Sequence, residues 1–112
     1  MGVRPEPVRG ESERGVSDGV FVHLAVHEPR PGKEDEILES MQRFGSSATG
    51  APGFRFHAAL PDERTTRLVR MTIWDSREAW AAAIGGMREA AANVDFDALL
   101  ERDPDVFLLT ED

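Results

Sequence analysis

The sequence contains no cysteine, which excludes disulfides, thiolate catalysis and Cys-ligated zinc or iron–sulfur centres. It has three His and no paired-carboxylate spacing, so no metal centre is expected. No apolar run approaches the roughly 18 residues that a membrane span requires. No apolar stretch of signal-peptide type follows Met1, and a soluble, cytoplasmic protein is expected. Bases are scarce: 13 Lys and Arg face 21 Asp and Glu, for a net charge of −8. A diffuse attraction for phosphate backbones is therefore lacking, and the Arg residues are scattered without forming a stripe; nucleic acid is an unfavoured partner.

What is present suits one domain. The chain has 112 residues, 40% hydrophobic and 30% charged, a balance that supports a core and differs from that of disordered chains. The acidity is local. Residues 95–112 hold seven acids and one Arg, while residues 1–94 are nearly neutral, which reads as a solvated final segment.

Residues 1–18 mix Gly2, Pro5, Pro7, Gly10 and Gly15 with charges and only three valines, so a flexible N-terminal tail is expected before a folded domain over 19–112. That domain opens with Val20-Phe21-Val22-His23-Leu24-Ala25-Val26-His27. Alternation puts Val22, Leu24 and Val26 on one face and Phe21, His23, Ala25 and His27 on the other, the pattern of a strand used on both sides. Pro29, Pro31 and Gly32 end it. Glu34-Asp35-Glu36 suits a helix N-terminus, and Ile37, Leu38, Met41 and Phe44 form one stripe of an amphipathic helix. Strands are predicted from Phe54 to Leu60 and from Arg67 to Trp74, joined as a hairpin through Pro61-Asp62-Glu63-Arg64. Strict alternation would place His57 opposite Phe54 and Phe56.

Asp75 or Ser76 can cap a second helix with the stripe Ala79, Trp80, Ala83, Ile84 and Met87. Gly85-Gly86 should kink or break it, at about 1 kcal/mol per Gly. A short helix from Asp95 or Asp97 through Arg102 and a strand from Val106 to Leu109 complete the order β-α-β-β-α-(α)-β. This is an α+β, ferredoxin-like split βαβ fold: a four-stranded antiparallel sheet with helices on one face. Both strand faces are apolar, so a lone copy would expose a patch beyond the few hundred Å² that soluble monomers tolerate. A homodimer packed sheet to sheet is predicted.

Three motifs resemble the antibiotic biosynthesis monooxygenase family. They are Val26-x-x-x-x-Pro31-Gly32-Lys33-x-x-Glu36 after the first strand, Ala51-Pro52-Gly53-Phe54 opening the second, and Ile73-Trp74-Asp75-Ser76-x-Glu78-Ala79 closing the third. The resemblance covers about residues 20 to 110 and implies a dimeric α/β barrel. Members of this superfamily include cofactor-free oxygenases of aromatic polyketides, haem-degrading enzymes, quinol oxygenases and proteins without known activity, so fold alone does not choose a chemistry. The resemblance also implies a pocket between sheet and helices lined by the strand-end Trp.

On that basis the candidate catalytic residues are His23, Arg70 and Trp74, and the candidate substrate-binding residues are Phe21, His57, Thr72 and Trp80. Trp74 shares a face with Leu68, Arg70 and Thr72; its structural alternative is a core Trp whose indole N–H finds a partner. Arg70 stands where the cofactor-free oxygenases resembled here carry an Asn. Arg can stabilise a developing oxyanion or form an ion pair with a helix carboxylate. Trp80 falls where those oxygenases hold an aromatic, but it also belongs to the helix stripe. His23, His27 and His57 can each act as a base near pH 7, His27 ranking below His23 because it nears the strand end. His23 and His27 lie about 13 Å apart along one strand, too far to share a metal. The axial His and the Asn that haem degradation implies are replaced by Ile84 and Ala25, so that activity is not expected. The expected function is cofactor-independent oxidation of a small aromatic, quinol or polyketide substrate by O₂, with no cofactor. The alternative is a non-catalytic dimeric module that binds a ligand or serves assembly.

Overall fold

The computed structural model describes residues 19–111, and the expected tail at 1–18 lies outside them. The elements run β1 (Phe21–His27), α1 (Glu34–Ser46), β2 (Phe54–Pro61), β3 (Leu68–Trp74), α2 (Arg77–Ala90), α3 (Phe96–Leu99) and β4 (Asp105–Thr110). All strand pairs are antiparallel and the sheet order is β2-β3-β1-β4. This is the ferredoxin-like α+β fold expected from the element order.

Alternation decides which side chains face the helices. In β1 and β3 the residues Phe21, His23, Ala25, His27, Leu68, Arg70, Thr72 and Trp74 are buried, and those between them are half-buried. The register sets His23 opposite Thr72 and Ala25 opposite Arg70. The other face is apolar throughout its centre: Val22, Leu24, Val69, Met71 and Ile73 pair across the strands, and Phe107 and Leu109 of β4 extend it. Phe56, Leu60, Phe107 and Leu109 on this side are exposed.

Three expectations are corrected. Helix α2 continues unbroken through Gly85 and Gly86, because Trp80, Ile84 and Met87 bury on either side of them and this packing outweighs propensity. Both glycines face solvent with open space around them. Helix α3 ends at Leu99 instead of reaching Arg102, since Leu100 is already extended and its loop bridges Pro29. Finally, the β2–β3 register shifts between Phe54 and Phe56, so Phe54 pairs with Trp74 and His57 with Thr72. The bulge returns Phe54 to the side of His57 and sends Phe56 to the other.

The helix starts follow local chemistry. Ser76 Oγ accepts a hydrogen bond from the Ala79 N–H, capping α2 as its sequence predicts. Gly53 enters β2 at φ 80°, and a Cβ there would lie 2.6 Å from that of Ala79. Only glycine allows both that backbone and that approach, so Gly53 docks the start of α2 against the Trp74 end of β3.

Candidate functional site

The buried apolar residues form two clusters. One contains Phe21, Phe44, Ala48, Trp74, Trp80, Ile84 and Met87, and the other Ile37, Met41, Leu68 and Leu100. His23, Arg70 and His27 belong to neither, yet His23 and His27 are 5% exposed and Arg70 is 8%. A polar band thus interrupts the core on the helix side of the sheet. Arg70 sits at its centre, with Ala25 and Ala59 as its cross-strand neighbours. Two small side chains leave room for a guanidinium. His23 and His27 lie two residues to either side of Ala25, diagonal to Arg70.

The band is poorly satisfied. Among the described residues, His23 Nδ1, His27 Nδ1, Arg70 Nη1 and Trp80 Nε1 are buried without a hydrogen-bond partner. Among the described residues no carboxylate pairs with Arg70. Its guanidinium carbon lies 4.0 Å from the centroid of the Phe44 ring, a cation–π contact. The ion pair with a helix carboxylate weighed from sequence is thus replaced by an aromatic face. Unpaired buried polar atoms are rare, and each calls for an explanation such as a ligand or water.

The remaining sequence candidates divide. Phe21 and Trp80 pack with ring centroids 5.2 Å apart and planes tilted by 42°, and the Trp80 ring meets His23 edge-on at 5.3 Å. These two aromatics wall the His23 end of the band. Trp74 is fully buried, and its indole N–H donates to Thr72 Oγ1 at 2.9 Å; these two side chains satisfy each other. His57 is half-buried beside Phe54, 6.0 Å between ring centroids, under Gly45 of α1. A Cβ on Gly45 would fall 2.5 Å from the imidazole, so glycine is what lets α1 lie over His57. Sequence reasoning misses one member of the band and ranks another low. Phe44 read as a stripe residue, and its contact with Arg70 is non-local. His27 ranks low for its place near the strand end, yet it is buried like His23.

Val106 and Leu108 occupy the helix side of β4, next to Ala25 and His23, and are exposed. The helices thus leave the β4 strand bare beside the band. Among the described residues no three His, Asp or Glu gather to hold a metal ion, and no helix is long and apolar enough to cross a membrane.

Electrostatics follow from burial. Desolvation, then Arg70, then Arg88 lower the His23 pKa from 6.5 to about 4. Desolvation and Arg70 lower that of His27 to about 4 as well, and desolvation lowers Arg70 to about 10. Both imidazoles are thus neutral at pH 7 while Arg70 keeps its charge. Unfolding restores the histidines to about 6.5, so between pH 6.5 and 4 the unfolded chain binds more protons. Stability is then full above pH 6.5 and falls on acidification through this window. Denaturant titrations from pH 7.5 to 4.5 should give a slope approaching two protons, about 2.7 kcal/mol per pH unit near the middle. His23→Gln and His27→Gln should each remove about half of it.

With this geometry in place, a family model of antibiotic biosynthesis monooxygenase matches residues 20–86. The chain belongs to that family. Solved structures agree in fold. Rv0793 from Mycobacterium tuberculosis superposes with a TM-score of 0.68 at 21% identity, over 80% of this chain and 92% of that one. A mutant of SnoaB, a cofactor-independent oxygenase from Streptomyces nogalater, gives 0.68 at 18% identity, over 83% and 93%. An anthrone oxidase-like protein gives 0.67 at 20% identity, over 83% of this chain and 44% of its own. At such identities the likeness establishes the fold. No curated protein matches the chain significantly by sequence.

Proposed function

We propose that the protein is a cofactor-independent monooxygenase acting with O₂ on a small aromatic, quinol or polyketide substrate, and that it works as a homodimer joined through the open sheet face. The observation that carries this reading is the polar band: a buried guanidinium with Nη1 unpartnered and a buried neutral imidazole with Nδ1 unpartnered among the described residues, the imidazole beside the ring of Trp80. Membership of the monooxygenase family supports it.

In this reading a planar substrate lies along Trp80 and Phe21 with its phenolic or enolic oxygen at Arg70. His23 takes a proton from the adjacent activated CH₂. Its low pKa makes it a weak base, and the guanidinium compensates by stabilising the oxyanion that forms. The carbanion passes one electron to O₂, and the carbon radical and superoxide combine into a C–O bond. The imidazolium returns its proton to give the hydroperoxide. Loss of the second C–H proton with cleavage of the O–O bond then yields a carbonyl and water, so that CH₂ and O₂ become C=O and H₂O.

Trp80 offers its unpaired N–H to the bound oxygen. Oxygen uptake with anthrone should fall roughly tenfold in Trp80→Phe, the loss of one hydrogen bond with the ring wall kept. Absence of uptake with anthrone, menaquinol and related phenols would end the enzymatic reading. A second reading, a non-catalytic ligand-binding or assembly module, draws on the full burial of Phe21 and Trp74 and on the closed Trp74–Thr72 pair.

A further inference from the structure

We propose that the ligand of this site is already a planar monoanion when it binds, an aromatic carboxylate whose two oxygens lie on Arg70 between His23 and His27. This rests on the reading above only in taking the polar band as the ligand site; the carboxylate takes the place given there to the phenolic oxygen, and no turnover is required.

Four features of the band point to that ligand. Arg70 is a buried cation with no carboxylate beside it among the described residues, and its Nη1 has no partner. A buried charge is ordinarily paired, and an unpaired one is strongly unfavourable. The missing counter-charge is therefore negative and comes from outside the described residues. The guanidinium is a planar fork matched to two carboxylate oxygens.

The stoichiometry of charge is equally specific. Both flanking imidazoles are neutral at pH 7, lowered to about 4 by burial and by Arg70 itself. The band thus presents one positive charge, which one negative charge neutralises. A dianion such as phosphate would leave a buried negative charge uncompensated, whereas a carboxylate balances the site. The two histidines stand on opposite sides of the arginine, His23 against Trp80 and His27 against Phe96, with ring centroids 5.3 and 6.2 Å apart. With Phe44 packed on the guanidinium, the surroundings of the anion are flat and aromatic, which selects an aryl acid over a small aliphatic one.

Binding to the full-length protein under nitrogen, followed by calorimetry, tests this without turnover. The probes are 1-naphthoate, the near-isosteric neutral 1-naphthamide, and inorganic phosphate. The acid should bind at least tenfold more tightly than the amide, and phosphate should not bind. In Arg70→Gln the acid's advantage should vanish, and in Arg64→Gln, on the exposed β2–β3 turn, it should persist. Equal affinity of acid and amide for the wild type overturns the proposal, as does phosphate binding tighter than naphthoate or a preference that survives in Arg70→Gln. The wild-type comparison decides even if Arg70→Gln fails to fold. A preference for the acid without oxygen uptake on any substrate would retain this inference and remove the oxygenase. Uptake on neutral phenols without a preference for the acid would do the reverse.

Discussion

Arg70→Met is expected to make the protein more stable and far less active. In the folded chain the guanidinium is 8% exposed, unpaired at Nη1, and held at a pKa of about 10 by desolvation alone. Removing a buried charge from water carries an effective penalty of several kcal/mol. The Phe44 contact returns about 2 kcal/mol of it. Met keeps the straight stem, fits between Ala25 and Ala59, and offers its sulfur to the same ring. Unfolding free energy without ligand should therefore rise by about 1–2 kcal/mol, while oxygen uptake falls about 10²-fold or more with the loss of the oxyanion partner. Parallel denaturant melts and oxygen-electrode assays read both. A stability loss above about 1 kcal/mol would mean that Arg70 serves the fold, and the site would lose its centre.

Stability and function pulling apart at one residue is typical of a site built into a core, and it bears on what the sequence could disclose. The alternation of Val22, Leu24 and Val26 with Phe21, His23 and Ala25 depends only on strand geometry, so both sheet faces were legible. The same holds for Ser76, whose capping bond is local, and for the stripe of α1. Gly85-Gly86 misled because propensity is a small local term, whereas Ile84 and Met87 bury against the rest of the domain. The bulge at Arg55 was invisible because a register shift belongs to a pair of strands. It reassigned Phe54 and left His57 in place.

The site was legible as a face but not as an arrangement. Alternation put His23, Arg70, Thr72 and Trp74 on the side that the helices cover, and the structure keeps them there. It could not show that Trp74 and Thr72 satisfy each other while Arg70 and His23 do not. Nor could it show that Arg70 turns to Phe44 of α1 instead of a carboxylate. Those outcomes depend on which side chains helix packing brings above the sheet. The centre of the candidate site accordingly moves from Trp74, where the strand-end motif drew attention, to Arg70.

The opposite face carries the other large effect. Met71 lies at its middle, paired with Leu24 on β1 and Ala58 on β2, with Val69 and Ile73 beside it on β3. A two-fold axis through such a face would set the Met71 side chains of both copies in one apolar interface. The wild type should elute as a dimer at micromolar concentration, and Met71→Glu as a monomer, because each dimer would bury two unpaired carboxylates at several kcal/mol apiece. In the lone subunit the same carboxylate points to water, so the variant should keep its helical circular dichroism. A monomeric wild type by light scattering would refute the assembly. If Met71→Glu is monomeric and folded, its oxygen uptake carries a further answer. Met71 alternates along β3 with Arg70 and Thr72, so activity that falls with dimer dissociation would mean that sheet-to-sheet packing holds the strand that presents the guanidinium. Activity that stays would place the whole site within one subunit.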